Sequence, residues 1–108
     1  MSTPRVLIQV PATARRGEVI EVRATIAHPM ETGFRPGADG RPVPRDVVQR
    51  FACRYNGELV FSAELHPAIA ANPYLAFHTV ATDSGTLTFE WQGDRGFAHT
   101  ERRDLRVL

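Results

Sequence analysis

Val47-Val48-Gln49-Arg50-Phe51-Ala52-Cys53-Arg54-Tyr55-Asn56-Gly57-Glu58-Leu59-Val60-Phe61-Ser62-Ala63-Glu64-Leu65 is the stretch from which the fold can be read. Apolar and polar residues alternate on both sides of Asn56-Gly57. Side chains on a strand point to opposite faces in turn, so such alternation marks a half-buried strand. Val47, Gln49, Phe51, Cys53 and Tyr55 are assigned to one face, and Val48, Arg50, Ala52 and Arg54 to the other. Asn-Gly accepts the positive φ angles of a tight two-residue turn and is the strongest short hairpin signal. The return strand then turns Leu59, Phe61, Ala63 and Leu65 inward. Glu58, Ser62 and Glu64 face out, within reach of the arginines on the preceding strand.

The same period extends in both directions. Ile20, Val22, Ala24 and Ile26 share one face of a strand beginning near Glu18, with Glu21, Arg23 and Thr25 opposite. Arg5–Val10 reads as a short first strand closed by Pro11, and Tyr74–Ala81 as a later one. Asp83-Ser84-Gly85 turns the chain into a strand with Leu87, Phe89 and Trp91 inward. Gly93-Asp94-Arg95-Gly96 turns it again into Phe97–Leu108. About seven strands with regularly spaced turns predict an all-β, immunoglobulin-like antiparallel sandwich spanning residues 1–108 as one domain. The one cysteine, Cys53, excludes an intrachain disulfide, so the core rests on Phe51, Phe61, Phe89, Trp91 and the aliphatics.

Composition narrows the function classes. The net charge is +1, with no basic excess to hold nucleic acid or an anionic membrane. All 13 basic residues are arginine, as a GC-rich genome would produce. No stretch approaches the roughly twenty apolar residues of a membrane helix. Met1-Ser2-Thr3-Pro4-Arg5 leads straight into a strand-like run without a secretory leader, so the chain alone reads as cytoplasmic. Mid-strand beside Phe51 and Tyr55, Cys53 is expected to be a small buried hydrophobe with a raised pKa. Glu58 and Glu64, and Glu101 and Asp104 among Arg102, Arg103 and Arg106, read as solvated ion-pair partners.

His28–Arg45 breaks the alternation. It holds Pro29, Pro36, Pro42 and Pro44 with Gly33, Gly37 and Gly40, and loops this long in compact domains are usually functional or disordered. His28-Pro29-Met30-Glu31-Thr32-Gly33 begins with a rigid His-Pro step, is expected to expose the Met30 thioether, and ends in a glycine suited to positive φ. Methionine and arginine on an ordered loop suit a binding surface. A second irregular segment, His66-Pro67-Ala68-Ile69-Ala70-Ala71-Asn72-Pro73, leaves room for at most one helical turn between its prolines.

This loop resembles the signature of the SoxZ family: His28-Pro29-Met30-Glu31-Thr32-Gly33, then Arg35, then Val43-Pro44. Tyr55-Asn56-Gly57, Asn72-Pro73-Tyr74 with Phe77, and Trp91 with Asp94 and Gly96 follow in register over essentially the whole chain. The resemblance implies a non-catalytic subunit, without metal or cofactor, of a heterodimer with SoxY. SoxY's C-terminal Gly-Gly-Cys-Gly-Gly arm carries thiosulfate-derived sulfur, and other Sox enzymes visit the complex in the periplasm. Export already folded with SoxY would account for the missing leader. His28, Met30, Glu31, Thr32, Gly33, Arg35, Asn72 and Pro73 are the expected partner-binding residues, and self-association of the isolated chain stays open. One alternative is a small iron enzyme, because His28, His66, His78, His99 and Cys53 match the ligand count of superoxide reductases, although Cys53 lacks the histidine that family places just after its cysteine. The other is a generic immunoglobulin-like interaction module.

Overall fold

The computed structural model describes residues 4–65 and 71–108. They form eight strands: β1 (Val6–Gln9), β2 (Thr13–Ala14), β3 (Val19–Ile26), β4 (Val48–Tyr55), β5 (Glu58–Glu64), β6 (Tyr74–Val80), β7 (Gly85–Gly93) and β8 (Ala98–Val107). A three-stranded sheet in the order β1-β3-β6 faces a five-stranded sheet in the order β2-β8-β7-β4-β5. The all-β sandwich expected from the alternation is present, and its one cysteine is free. β2 is the additional strand. Its two residues pair parallel with Arg106 and Val107 of β8, too short a run to produce any period in the sequence.

β3 follows the expected alternation without a slip: Ile20, Val22, Ala24 and Ile26 are buried and Glu21 and Arg23 are exposed. The two strands around Asn56-Gly57 do not. A register shift between Val48 and Arg50, where β4 meets β7, buries Val47 and Val48 together and turns Gln49 and Arg50 both outward. One extra residue in a ladder reverses the facing of everything beyond it, so Gln49 leaves its expected inward place. The backbones come close at this point, where a Cβ on Gly93 would lie 2.5 Å from the Val47 carbonyl oxygen. A second shift pairs Cys53 with Phe61 but Arg54 with Leu59, which sends Leu59 outward at 43% exposure. Ala52, expected outside, is buried because Arg50, Arg54, Glu90 and Gln92 stand around its small side chain. Arg54 pairs with Glu90 on β7 at 3.0 Å rather than with a β5 carboxylate.

The core is centred on Phe51, whose ring meets Phe61, Phe77, Phe89 and Trp91 at centroid distances of 5.2–6.3 Å. Phe61 of β5 stacks on Phe77 of β6 at 4.4 Å and closes the two sheets along one side. Each such pair adds roughly 0.5–1.5 kcal/mol beyond the area buried. The strand ends and connections then gather at one end of the sandwich: the β3–β4 crossover, the Asn72-Pro73 step before β6, and the β7–β8 turn.

Candidate functional site

The crossover from β3 to β4 is itself folded. Glu31 and Asp46 exchange both backbone hydrogen bonds at 2.8 Å, and the Arg35 carbonyl accepts the Val43 N–H at 2.8 Å. Gly37 donates to the Arg41 carbonyl at 2.6 Å, and Pro36 faces Pro42 across the two arms. The segment is a hairpin projecting from the sandwich, which explains how so long a connection stays ordered. Prolines suit it because their missing N–H falls where no ladder partner is needed.

Its root is a latch built around His28, which is 5% exposed. The His28 Nδ1 accepts the Met30 N–H at 3.0 Å, so the ring proton sits on Nε2, 3.6 Å from an Asp46 carboxylate oxygen. The ring meets Phe97 edge-on at 5.0 Å. The His28 N–H donates to the Asn72 side-chain oxygen at 2.9 Å, and the Asn72 N–H returns to the His28 carbonyl at 2.7 Å. Pro73 is buried, and its carbonyl accepts the Ile26 N–H at 3.3 Å. His66 and residues 67–70 lie outside the described residues.

Met30 corrects the expectation of an exposed thioether. It is 4% exposed, its φ is +53°, and its sulfur accepts the Val48 N–H at 3.2 Å beside the β4 irregularity. The chain must double back sharply after His28-Pro29 to reach the Asp46 pairing, and that reversal carries the side chain into the core. Met30 therefore packs into the core.

A second clamp fastens the hairpin to the β7–β8 turn. The Asp94 carboxylate accepts two hydrogen bonds from Arg45 at 2.9 and 2.8 Å, one from the Val47 N–H at 3.1 Å and one from Gln49 at 2.6 Å. Gln49 reaches it only because the β4 slip turned that side chain outward. The Arg45 hydrogen bonds hold the Asp94 carboxyl below its ordinary pKa, helped by the Val47 N–H and the charge of Arg45.

The remaining expected site residues lie further out. Arg35 is 64% exposed and binds Glu31 through Nε at 3.2 Å and Nη2 at 3.1 Å. The Thr32 hydroxyl accepts the Phe34 N–H at 3.4 Å. Gly33 has φ +91° and packs on Arg45, where an added Cβ would sit 3.1 Å from the Arg45 Cβ. Between Gly33 and Arg35 stands Phe34, 88% exposed. Sequence reasoning passed over Phe34, Asp46 and Phe97; the available signal was a large aromatic between a glycine and an arginine in a proline-rich loop.

Among the described residues, the thiol and the imidazoles do not gather into one site. Cys53 is fully buried, and burial, aided by Glu90, pushes its thiol up to about 12, as its mid-strand setting predicted. His78 is 61% exposed with Glu21 3.5 Å away, and His99 is 13% exposed, 2.9 Å from Glu101. Among the described residues no three His, Cys, Asp or Glu side chains come together in a set able to hold a metal. The ligand set counted from sequence is therefore not assembled by these residues.

The fold resembles a superoxide reductase (neelaredoxin) from Ignicoccus hospitalis, 15% identical, with a TM-score of 0.73 over 97% of this chain and 82% of that one. It also resembles the sulfur carrier protein SoxY from Chlorobium limicola f thiosulfatophilum, 15% identical, with a TM-score of 0.66 over 95% of this chain and 78% of that one. At such identities the likeness establishes the fold alone. No curated protein matches the sequence. Residues 8–104 match the family of the sulphur oxidation protein SoxZ.

Proposed function

The chain belongs to the SoxZ family of sulphur oxidation proteins, and from that premise we propose that it is the non-catalytic partner of a SoxY-type carrier, working in the periplasm. The partner's cysteine holds the sulfur while other Sox enzymes act on it. This chain contributes a rigid sandwich and an ordered hairpin.

One observation carries this division of labour: the only thiol in the sequence is sealed in the core. The thiolate is the nucleophile of sulfur chemistry, and a thiol held at about 12 supplies almost none at neutral pH. The charge it feels is the carboxylate of Glu90, which disfavours the thiolate further. A side chain with 0% exposure on a central strand has no path to a substrate or a visiting enzyme.

Co-expression with the SoxY subunit tests the assignment. The two chains are expected to elute together on size exclusion, and Cys53→Ala is expected to leave thiosulfate turnover of the pair unchanged. A persulfide or thiosulfonate found on Cys53 during turnover would overturn it, as would chains that never associate.

A further inference from the structure

The latch and the clamp take His28, Met30, Asn72 and Asp94 into internal bonding and leave Phe34 outside. We propose that Phe34 anchors a protein-binding surface running from the hairpin to a depression beside β1, and that its occupant is the folded, thiol-bearing SoxY subunit. The proposal rests on the function assigned above.

Phe34 has the greatest exposure of the large apolar side chains among the described residues, at 88%. A lone exposed aromatic on a mobile loop would signify little. Here the backbone around it is already set: the Phe34 N–H is bonded to Thr32, Gly33 is packed on Arg45, and the Arg35 carbonyl is bonded to Val43. An aromatic ring with two rotatable bonds on a fixed backbone loses little entropy on docking, as the anchors of tight interfaces require.

The charges around Phe34 select the class of occupant. Arg35 is engaged by Glu31 and Arg45 by Asp94. Across the hairpin Arg35, Arg41 and Arg45 are matched by Glu31, Asp39 and Asp46. A neutral rim around an aromatic suits a protein pocket and offers nothing to a polyanion or an anionic bilayer.

A second apolar feature is continuous with the hairpin root. Arg5, Val6, Leu7, Thr25, Ala27 and Asn72 line a depression of about 520 Å³, and Asn72 is the residue bonded to His28. Leu7 and Tyr74, 62% and 57% exposed, flank Thr25 in one cross-strand row. A stable heterodimer covers roughly 800 Å² per partner, more than a single hairpin offers. The occupant must therefore reach both features, which calls for a folded domain; a peptide lying in the depression would leave Phe34 bare.

Calorimetric titration of the full chain with purified SoxY tests this. Phe34→Ala is expected to weaken binding roughly thirtyfold or more, the loss typical of a central aromatic anchor. Leu7→Ser is expected to weaken it less, and Val80→Ser, at the other end of β6, to leave it unchanged. All three are expected to melt with the wild type, since each side chain is exposed. If wild type binds while Phe34→Ala and Leu7→Ser bind equally well, the surface is refuted and the function stands. If wild type fails to bind, the function itself falls and the surface with it. If Phe34→Ala instead abolishes self-association of the isolated chain, the occupant is a second copy and the proposal is wrong.

Discussion

Cys53 and His28 are both buried, both capable of chemistry, and opposite in what their surroundings do with them. Cys53 sits among Phe51, Phe61, Phe89 and Tyr55 with no hydrogen-bond partner among the described residues, and apolar burial silences it. His28 is held by polar partners: its Nδ1 accepts the Met30 N–H, its backbone N–H donates to the Asn72 amide oxygen, and its Nε2 lies 3.6 Å from Asp46. Burial without partners yields packing, whereas burial with partners yields position. The core thus holds the sandwich together, and the latch holds the hairpin in place on it.

The sharpest way to separate the two regions is to damage the core at its centre. Phe51→Ala is expected to cost about 3–5 kcal/mol, the range for a fully enclosed aromatic, and to lower the melting temperature of the whole fold. Denaturant unfolding followed by Trp91 fluorescence measures it.

His28→Ala is expected to cost less, about 1–3 kcal/mol, from a stranded Met30 N–H and lost contact with Phe97. Its signature is local: protease cleavage within Glu31–Asp46 should precede global unfolding. Cleavage that waits for global unfolding would mean the latch does not position the hairpin.

Asp94→Asn gives a dependence on pH. The folded pKa lies below the ordinary 3.8, so Asp94 contributes stability that is fully present above that value and lost as pH falls through the depressed folded value. Thermal melts of Asp94→Asn are expected to fall below wild type at pH 7, with the gap closing in that acid range.

Cys53→Ala should show the smallest effect at neutral pH, about 1 kcal/mol for a small cavity. The sign reverses the Asp94 case. The unfolded thiol ionises near 9.0 and the folded one near 12, so the folded chain holds more protons between them and wild-type stability falls as pH rises. Alkaline melts of Cys53→Ala should fall less steeply than wild type, and a thiol reagent at pH 8 should label wild-type Cys53 only after unfolding.

Much of this was legible in the residues. Ile20, Val22, Ala24 and Ile26 lie on the face their spacing assigns, because a strand with no slip obeys its period strictly. The hairpin at Asn56-Gly57 stands as expected, both residues taking positive φ, and Cys53 is inert as its neighbours implied. The His28–Arg45 run was recognisable as the distinctive segment. The direction of Met30 was not, since an exposed loop and a segment folded back into the core can share one composition.

The amino-acid order by itself determined the strands other than β2, the hairpin turn, the lack of a disulfide and the family, because these depend on neighbours one to four residues apart or on short runs of fixed identity. Tertiary structure alone decided that Gln49 turns out and Met30 turns in, that Asp94 grips Arg45 at a separation of 49 residues, and that His28 finds Asn72 at 44. Those outcomes depend on where two sheets bring distant backbone groups within 3 Å, a distance set by the slip in β4 and the packing beneath it, which no local pattern encodes.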